Sequence, residues 1–184
     1  MRLFVAIEFS DRVRSVLERA QTALRRKCEG VRWVRPEQLH LTAKFLGEVR
    51  DATVSIVGEA VARAAQRSGS FTMTVSGCGC FPQRGPVRIV WAGLTEQTGA
   101  LTHCVDKVEE ELEKEGFARE RRAFSPHVTI GRVREDRSRG AIRSAAEGFA
   151  LGPVEQSVSS ITLMSSVLSS AGPTYTALRT IELT

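Results

Sequence analysis

The sequence predicts an α+β fold in which two mostly antiparallel sheets, flanked by helices, form two lobes around a central cleft. Three observations carry this. Short runs of period-2 hydrophobicity alternate with longer runs of period 3.6. Two pairs of strand-like runs follow each other with only a turn between them, as antiparallel neighbours do. One tripeptide, His-apolar-Thr, occurs once in each half, at 40–42 and 127–129, although no longer repeat relates the halves.

In chain order, residues 2–8, RLFVAIE, read as a strand. Ser10 or Asp11 caps a helix through about Lys27, with Val13, Val16, Leu17, Ala20 and Leu24 on one face, and Gly30 ends it. Trp33, Val34 and Pro36 lead into a strand near 39–46, and after Gly47 a helix runs from about 51 to 67. Residues 71–80 alternate as a strand, and Gly85-Pro86 turns the chain into PVRIVWAGL, so 71–93 is a hairpin. A helix from about 96 to 115 carries Leu101, Val105, Val108 and Leu112 on one stripe, and its acidic run EEELEKE reads as solvated surface. Ser125-Pro126 forces an extended entry to a strand at 127–134. A short helix near 138–147 and strands near 159–168 and 174–182 complete the order. No linker or low-complexity stretch divides the chain, so residues 1–184 read as one bilobal domain.

Composition limits the function. With 184 residues, 42% of them hydrophobic, the chain fills an ordinary core. The opening MRLFVAIEFSDR is too short and too charged for a signal peptide, and no segment approaches the roughly 20 apolar residues of a membrane span. A cytoplasmic, membrane-free protein and a monomer are expected. Cys28, Cys78, Cys80 and Cys104 lack zinc-finger spacing and read as buried free thiols, while a zinc site of Cys78, Cys80 and His103 is not singled out by spacing. The net charge of +5 suits a polyanionic partner, and all 26 basic residues except Lys27, Lys44, Lys107 and Lys114 are arginine, the better bidentate phosphate ligand. A mild positive charge is also common in proteins that bind no nucleic acid, so it weighs little alone.

The tripeptides point to chemistry. Side chains two apart on a strand share a face, so His40 stands with Thr42 and His127 with Thr129, while Leu41 and Val128 face the core. Lys44 extends the first row. One imidazole can take a proton from water or a hydroxyl while the other gives one to a departing oxygen, and a pKa of about 6.5 suits histidine to both tasks. The hydroxyls and a nearby cation can hold the non-bridging oxygens of a phosphodiester, in a scheme that needs no metal. A single His-x-Thr is ordinarily a half-buried pair, but two such pairs use two of only three histidines. His103 has no matching partner and reads as surface or packing; Trp33, Trp91 and Phe81 read as core anchors. Arg132 is a phosphate clamp or a surface charge, since strict alternation puts it opposite His127 unless the strand twists or bulges.

The stretches RLFVAIEF, WVRPEQLHLTAKFLGEV, GCGCFPQRGPVRIVWAGL, FSPHVTIGRV and ITLMSSVLSSAGPTYTAL, in this order and spacing, resemble the RNA 2′,3′-cyclic phosphodiesterases, or 2′-5′ RNA ligases, of the two-histidine phosphoesterase superfamily. The resemblance runs nearly the whole chain. It implies a bilobal α+β protein with His40–Ala43 and His127–Ile130 lining a cleft, and hydrolysis of a terminal 2′,3′-cyclic phosphate to a 2′-phosphomonoester without metal or nucleotide cofactor. It makes His40 the proton donor and His127 the acceptor, with Thr42, Thr129 and Arg132 on phosphate; the Arg132 contact is then explained by strand twist. Ala43 and Gly131 stand where larger apolar residues are more usual. The implied substrate is RNA with a 2′,3′-cyclic phosphate end or a small cyclic nucleotide. The alternatives are 2′-5′ ligation by the reverse reaction and a non-catalytic module that binds RNA ends or nucleotides.

Overall fold

A computed structural model of the chain describes residues 1–169 and 172–184. Nine strands and four helices follow in the order β1 (Arg2–Glu8), α1 (Asp11–Arg25), β2 (Val31–Trp33), β3 (His40–Glu48), α2 (Val54–Ala65), β4 (Phe71–Phe81), β5 (Ile89–Thr95), α3 (Ala100–Lys114), β6 (His127–Val133), α4 (Ala141–Glu147), β7 (Val154–Val158), β8 (Ser160–Ser169) and β9 (Gly172–Glu182). All strand pairs are antiparallel, so the α+β class with antiparallel sheet is as expected. The strand order is β7-β4-β5-β6-β3-β1-β8-β9, with β2 on β6. The two anticipated sheets are therefore the two halves of one. They share an inner seam, β3 against β6, held by a single register pair, Leu41 with Val128.

Local chemistry sets most element ends. Ser10 Oγ accepts the Val13 N–H at 3.4 Å to start α1, which buries Val13, Leu17, Ala20 and Leu24. The chain then turns through Gly30, whose φ of +75° suits glycine, into β2. Residues 51–53 form a 3₁₀ turn before α2, so the helix expected over 51–67 is shorter. The Glu96 carboxylate accepts the N–H groups of Thr98 at 2.7 Å and Leu101 at 3.1 Å, so 96–99 is a capping loop and α3 begins later than the periodicity suggests.

Two strands lay outside the sequence reading. β2 is only three residues long, too short to display a period. β7 alternates Val154, Gln156 and Val158 inward, and the buried glutamine hides the pattern. Gln156 faces inward because its Oε1 accepts the Ser10 N–H at 2.9 Å.

One hydrophobic cluster runs beneath both halves, from Leu3 and Leu17 through Val61 and Leu112 to Val128 and Ile161. Each fully buried Leu or Ile there contributes roughly 1.5–3 kcal/mol over an exposed one. The acidic run of α3 is not simply solvated. Glu111 is buried and receives Arg63, Arg67 and Lys114, which with the hydrogen bonds hold its carboxyl down at about 2. Glu109 is buried as well, against Lys44 at 2.7 Å.

Candidate active site

The seam between the sheet halves brings the two tripeptides together. Leu41 pairs with Val128, and both are buried. In an antiparallel ladder the flanking residues then lie across from each other, Thr42 beside His127 and His40 beside Thr129, all on the face away from Leu41 and Val128. The polar pairs thus stand side by side on adjacent strands and line one cleft, which the structure gives a cavity of about 140 Å³.

Each histidine is held the same way. His40 Nδ1 lies 2.7 Å from the Gln38 carbonyl and His127 Nδ1 lies 2.8 Å from the Ser125 carbonyl, in each case two residues upstream. A carbonyl only accepts, so both Nδ1 atoms carry hydrogen and both Nε2 atoms are the exchanging positions. His40 Nε2 lies 3.1 Å from Thr42 Oγ1. Aromatic rings fix the planes: Phe4 and Tyr175 pack on His40 at centroid distances of 4.9 and 5.3 Å, and Phe81 packs edge-on to His127 at 5.0 Å. Burial pushes the His40 pKa below its ordinary value, and the charge of Arg132 adds to this against the raising influence of the Gln38 carbonyl and Glu8.

Arg132 reaches the cleft because β6 bulges. Against β5 the register runs Trp91 with Thr129 and then Val90 with Gly131, passing over Ile130. Ile130 and Gly131 are consecutively buried, and the phase shift turns Arg132 out on the His127 face. A bulge, not simple twist, thus explains this arginine. Buried Gln21 of α1 holds the irregularity in place, its Nε2 donating to the Ile130 carbonyl at 2.8 Å and to the Val34 carbonyl at 2.7 Å. Gly131 is small of necessity, since a Cβ there would meet Val31 Cγ1 at 2.6 Å.

The same device removes Lys44 from the row. In β3 the register against β1 passes over Ala43, and Lys44 is buried, donating to Glu109 at 2.7 Å and to the Ala118 carbonyl at 2.7 Å. Its charge is spent on structure. The cleft's positive side comes instead from Arg132, Arg35 and Arg32, the last directly across the β2–β6 pair from Arg132.

Arg32, Gln38 and Tyr175 also line the cleft, and none lies on a motif strand: Arg32 is on β2, Gln38 in the 3₁₀ turn before β3 and Tyr175 on β9. Gln38 donates to the Pro173 carbonyl, tying the start of β9 to the cleft rim. Trp33 and Phe81 contact the site rather than only the core. His103 lies on the exposed side of α3 and meets the Arg67 carbonyl at 3.0 Å, remote from the other two histidines. All four cysteines are free, and burial pushes the Cys78 thiol up to about 12 and Cys80 to about 11. Among the described residues no group of three or more His, Cys, Asp or Glu is placed to hold a metal, and no helix is long and apolar enough to cross a membrane.

Comparison with known proteins matches residues 7–91 and 93–175 to the LigT-like phosphoesterases. An RNA 2′,3′-cyclic phosphodiesterase of Archaeoglobus fulgidus is 35% identical over 187 aligned positions, covering 99% of this chain and 100% of its own. One of Thermotoga maritima is 33% identical, covering 97% and 93%. Among solved structures, TT0787 of Thermus thermophilus superposes with a TM-score of 0.81 at 30% identity, covering 100% of this chain and 98% of its own. LigT of E. coli complexed with 3′-AMP follows at 0.76 and 25%, with the same coverage.

Proposed function

The chain belongs to the LigT-like phosphoesterase family, and from that premise we propose that it is a hydrolase opening the 2′,3′-cyclic phosphate at an RNA end to leave a 2′-phosphomonoester. The observation that carries this reading is the matched pair of imidazoles, each with Nδ1–H bound to a carbonyl two residues upstream and Nε2 directed to one cleft. A displacement at phosphorus needs a proton removed on one side and supplied on the other, and two Nε2 atoms on adjacent strands provide both.

In the proposed reaction the His127 Nε2 lone pair takes a proton from water as its oxygen bonds to phosphorus. The bond from phosphorus to O3′ breaks, and protonated His40 gives its Nε2 proton to that oxygen. Exchange with solvent restores both rings. Thr42 and Thr129 hydroxyls donate to the non-bridging oxygens, and Arg132 supplies the countercharge. Residues 1–184 act as one catalytic unit and as a monomer, and no step calls on a metal or nucleotide.

The test is incubation with an oligoribonucleotide ending in a 2′,3′-cyclic phosphate, chelator present, followed by identification of the product. A 2′-monophosphate is expected. Intact substrate, or a 3′-monophosphate from cleavage on the other side, overturns the reading.

A further inference from the structure

The surroundings of the two histidines match closely and then diverge at one position. Each ring has Nδ1 on a carbonyl two residues upstream and an aromatic ring edge-on to it, Tyr175 for His40 and Phe81 for His127. Each motif strand also has an outer neighbour, β1 beside β3 and β5 beside β6. On that neighbour Glu8 stands directly across from His40, and Gly93 directly across from His127. A Cβ at Gly93 would meet the Ser76 carbonyl oxygen at 2.7 Å, so no carboxylate fits there.

Residues directly opposite in an antiparallel pair project to one face, with Cβ atoms about 4.5–5.5 Å apart. Glu8 continues the row of Phe4 and Ala6 on β1, and Phe4 packs on the His40 ring, so the carboxylate stands on the histidine's side of the sheet. Two groups aim it. The hydroxyl of Thr162 on β8, 2% exposed, donates to Glu8 Oε2 at 3.1 Å, and Thr180 Oγ1 lies 3.3 Å from Thr162 Oγ1. Arg14 Nη2 of α1 lies 3.7 Å from Glu8 Oε1 and shares part of its charge.

The described residues that line the cleft include Arg32, Arg35 and Arg132 and no carboxylate. The other titratable groups facing His40 are His127 of β6 and Tyr175 of β9, while Glu37, just upstream, pairs with Arg35 at 3.3 Å. Such a cleft suits phosphate and opposes an imidazolium. Burial of the His40 ring lowers its pKa, the Arg132 charge adds to this, and the Glu8 charge acts against both.

We propose that Glu8 is a positioning residue, the counterion of protonated His40, and that the contrast between Glu8 and Gly93 makes His40 the acid and His127 the base. This rests on the hydrolase reading above. Glu8 acts through the ring and exchanges no proton itself: the proton leaves His40 Nε2 for O3′, and the carboxylate stays charged throughout.

With three histidines in the chain, proton NMR can follow each ring against pH, assigned by single histidine variants, in parent and Glu8→Gln. Glutamine keeps an oxygen for the Thr162 hydroxyl and removes the charge, at a side chain 41% exposed, which lets the variant fold. Losing an anion makes protonation harder, so the His40 midpoint moves to lower pH while the His127 midpoint keeps its parent position. On the cyclic phosphate, kcat/KM above pH 7 falls by about 3- to 10-fold, the scale of one partly solvated charge. That loss disappears when sulfur replaces the 3′ bridging oxygen, because the leaving thiolate needs no acid. An unmoved His40 midpoint, equal movement of both rings, or a loss that persists with sulfur overturns the proposal. The NMR titration needs no turnover, so a selective shift of His40 in a protein that leaves cyclic phosphate intact upholds the Glu8–His40 pair and sinks the hydrolase reading.

Discussion

Leu41 and Val128, the buried middle residues of the two tripeptides, form the register pair that joins β3 to β6. Because they face the core, their neighbours face the cleft, and the same antiparallel contact that closes the sheet sets His40 and His127 diagonally across the seam. The placement of the two histidines and the joining of the sheet halves therefore depend on one pairing.

Arg132 tunes His40, beside the phosphate contact proposed for it. Its charge opposes protonation of His40, whose pKa lies below the usual 6.5 chiefly through burial. The pH profile of kcat/KM, which reports the free enzyme, should show one inflection below 6.5. Removing a nearby positive charge makes protonation easier, so Arg132→Ala should move that inflection upward while raising KM. An inflection that stays fixed in the variant contradicts the electrostatic coupling.

Gln21 acts at a distance through the bulge. Gln21→Leu leaves the Ile130 and Val34 carbonyls without their side-chain donor and should cost about 1–3 kcal/mol of stability, read by denaturant unfolding. Loosening the bulge displaces Arg132, so KM should rise, and little further in the double variant with Arg132→Ala. Fully additive increases in KM would place Gln21 outside this route.

The Lys44–Glu109 pair is nearly closed to solvent, with side chains 6% and 9% exposed. Lys44→Met strands a buried carboxylate and should destabilise the protein by about 3–5 kcal/mol, a drop in Tm of roughly 6–20 °C for a chain of this size. Lys44→Met with Glu109→Leu should recover part of the loss, because two apolar groups need no charge partner. Recovery stays partial, since Glu109 also accepts the Glu120 N–H. Thermal unfolding of the three variants settles the order.

The sequence disclosed whatever is periodic. Val13, Leu17, Ala20 and Leu24 mark α1, and the alternation around His40 and His127 marks the motif strands and the face their polar pairs occupy. It concealed whatever breaks a period. The bulges at Ala43 and Ile130 reverse the phase beyond each tripeptide, so Lys44 is buried and Arg132 and Phe45 emerge. Buried polar residues were equally illegible: Gln21, Gln156, Glu109 and Glu111 face inward because partners distant in sequence satisfy them. The pairing of the two halves into one sheet rests on a single residue pair, which no local pattern encodes.

The central claim is that two imidazoles each carry out one of two proton transfers, and it is tested most directly by relieving the need for an acid. With the natural cyclic phosphate, His40→Ala and His127→Ala should each lower kcat by about 10²-fold or more. When the 3′ bridging oxygen is replaced by sulfur, the leaving thiolate needs no proton. The account predicts that this substrate restores much of the activity of His40→Ala and little of that of His127→Ala. Equal rates for both variants on both substrates would contradict paired catalysis, and rescue of His127→Ala instead would reverse the two roles.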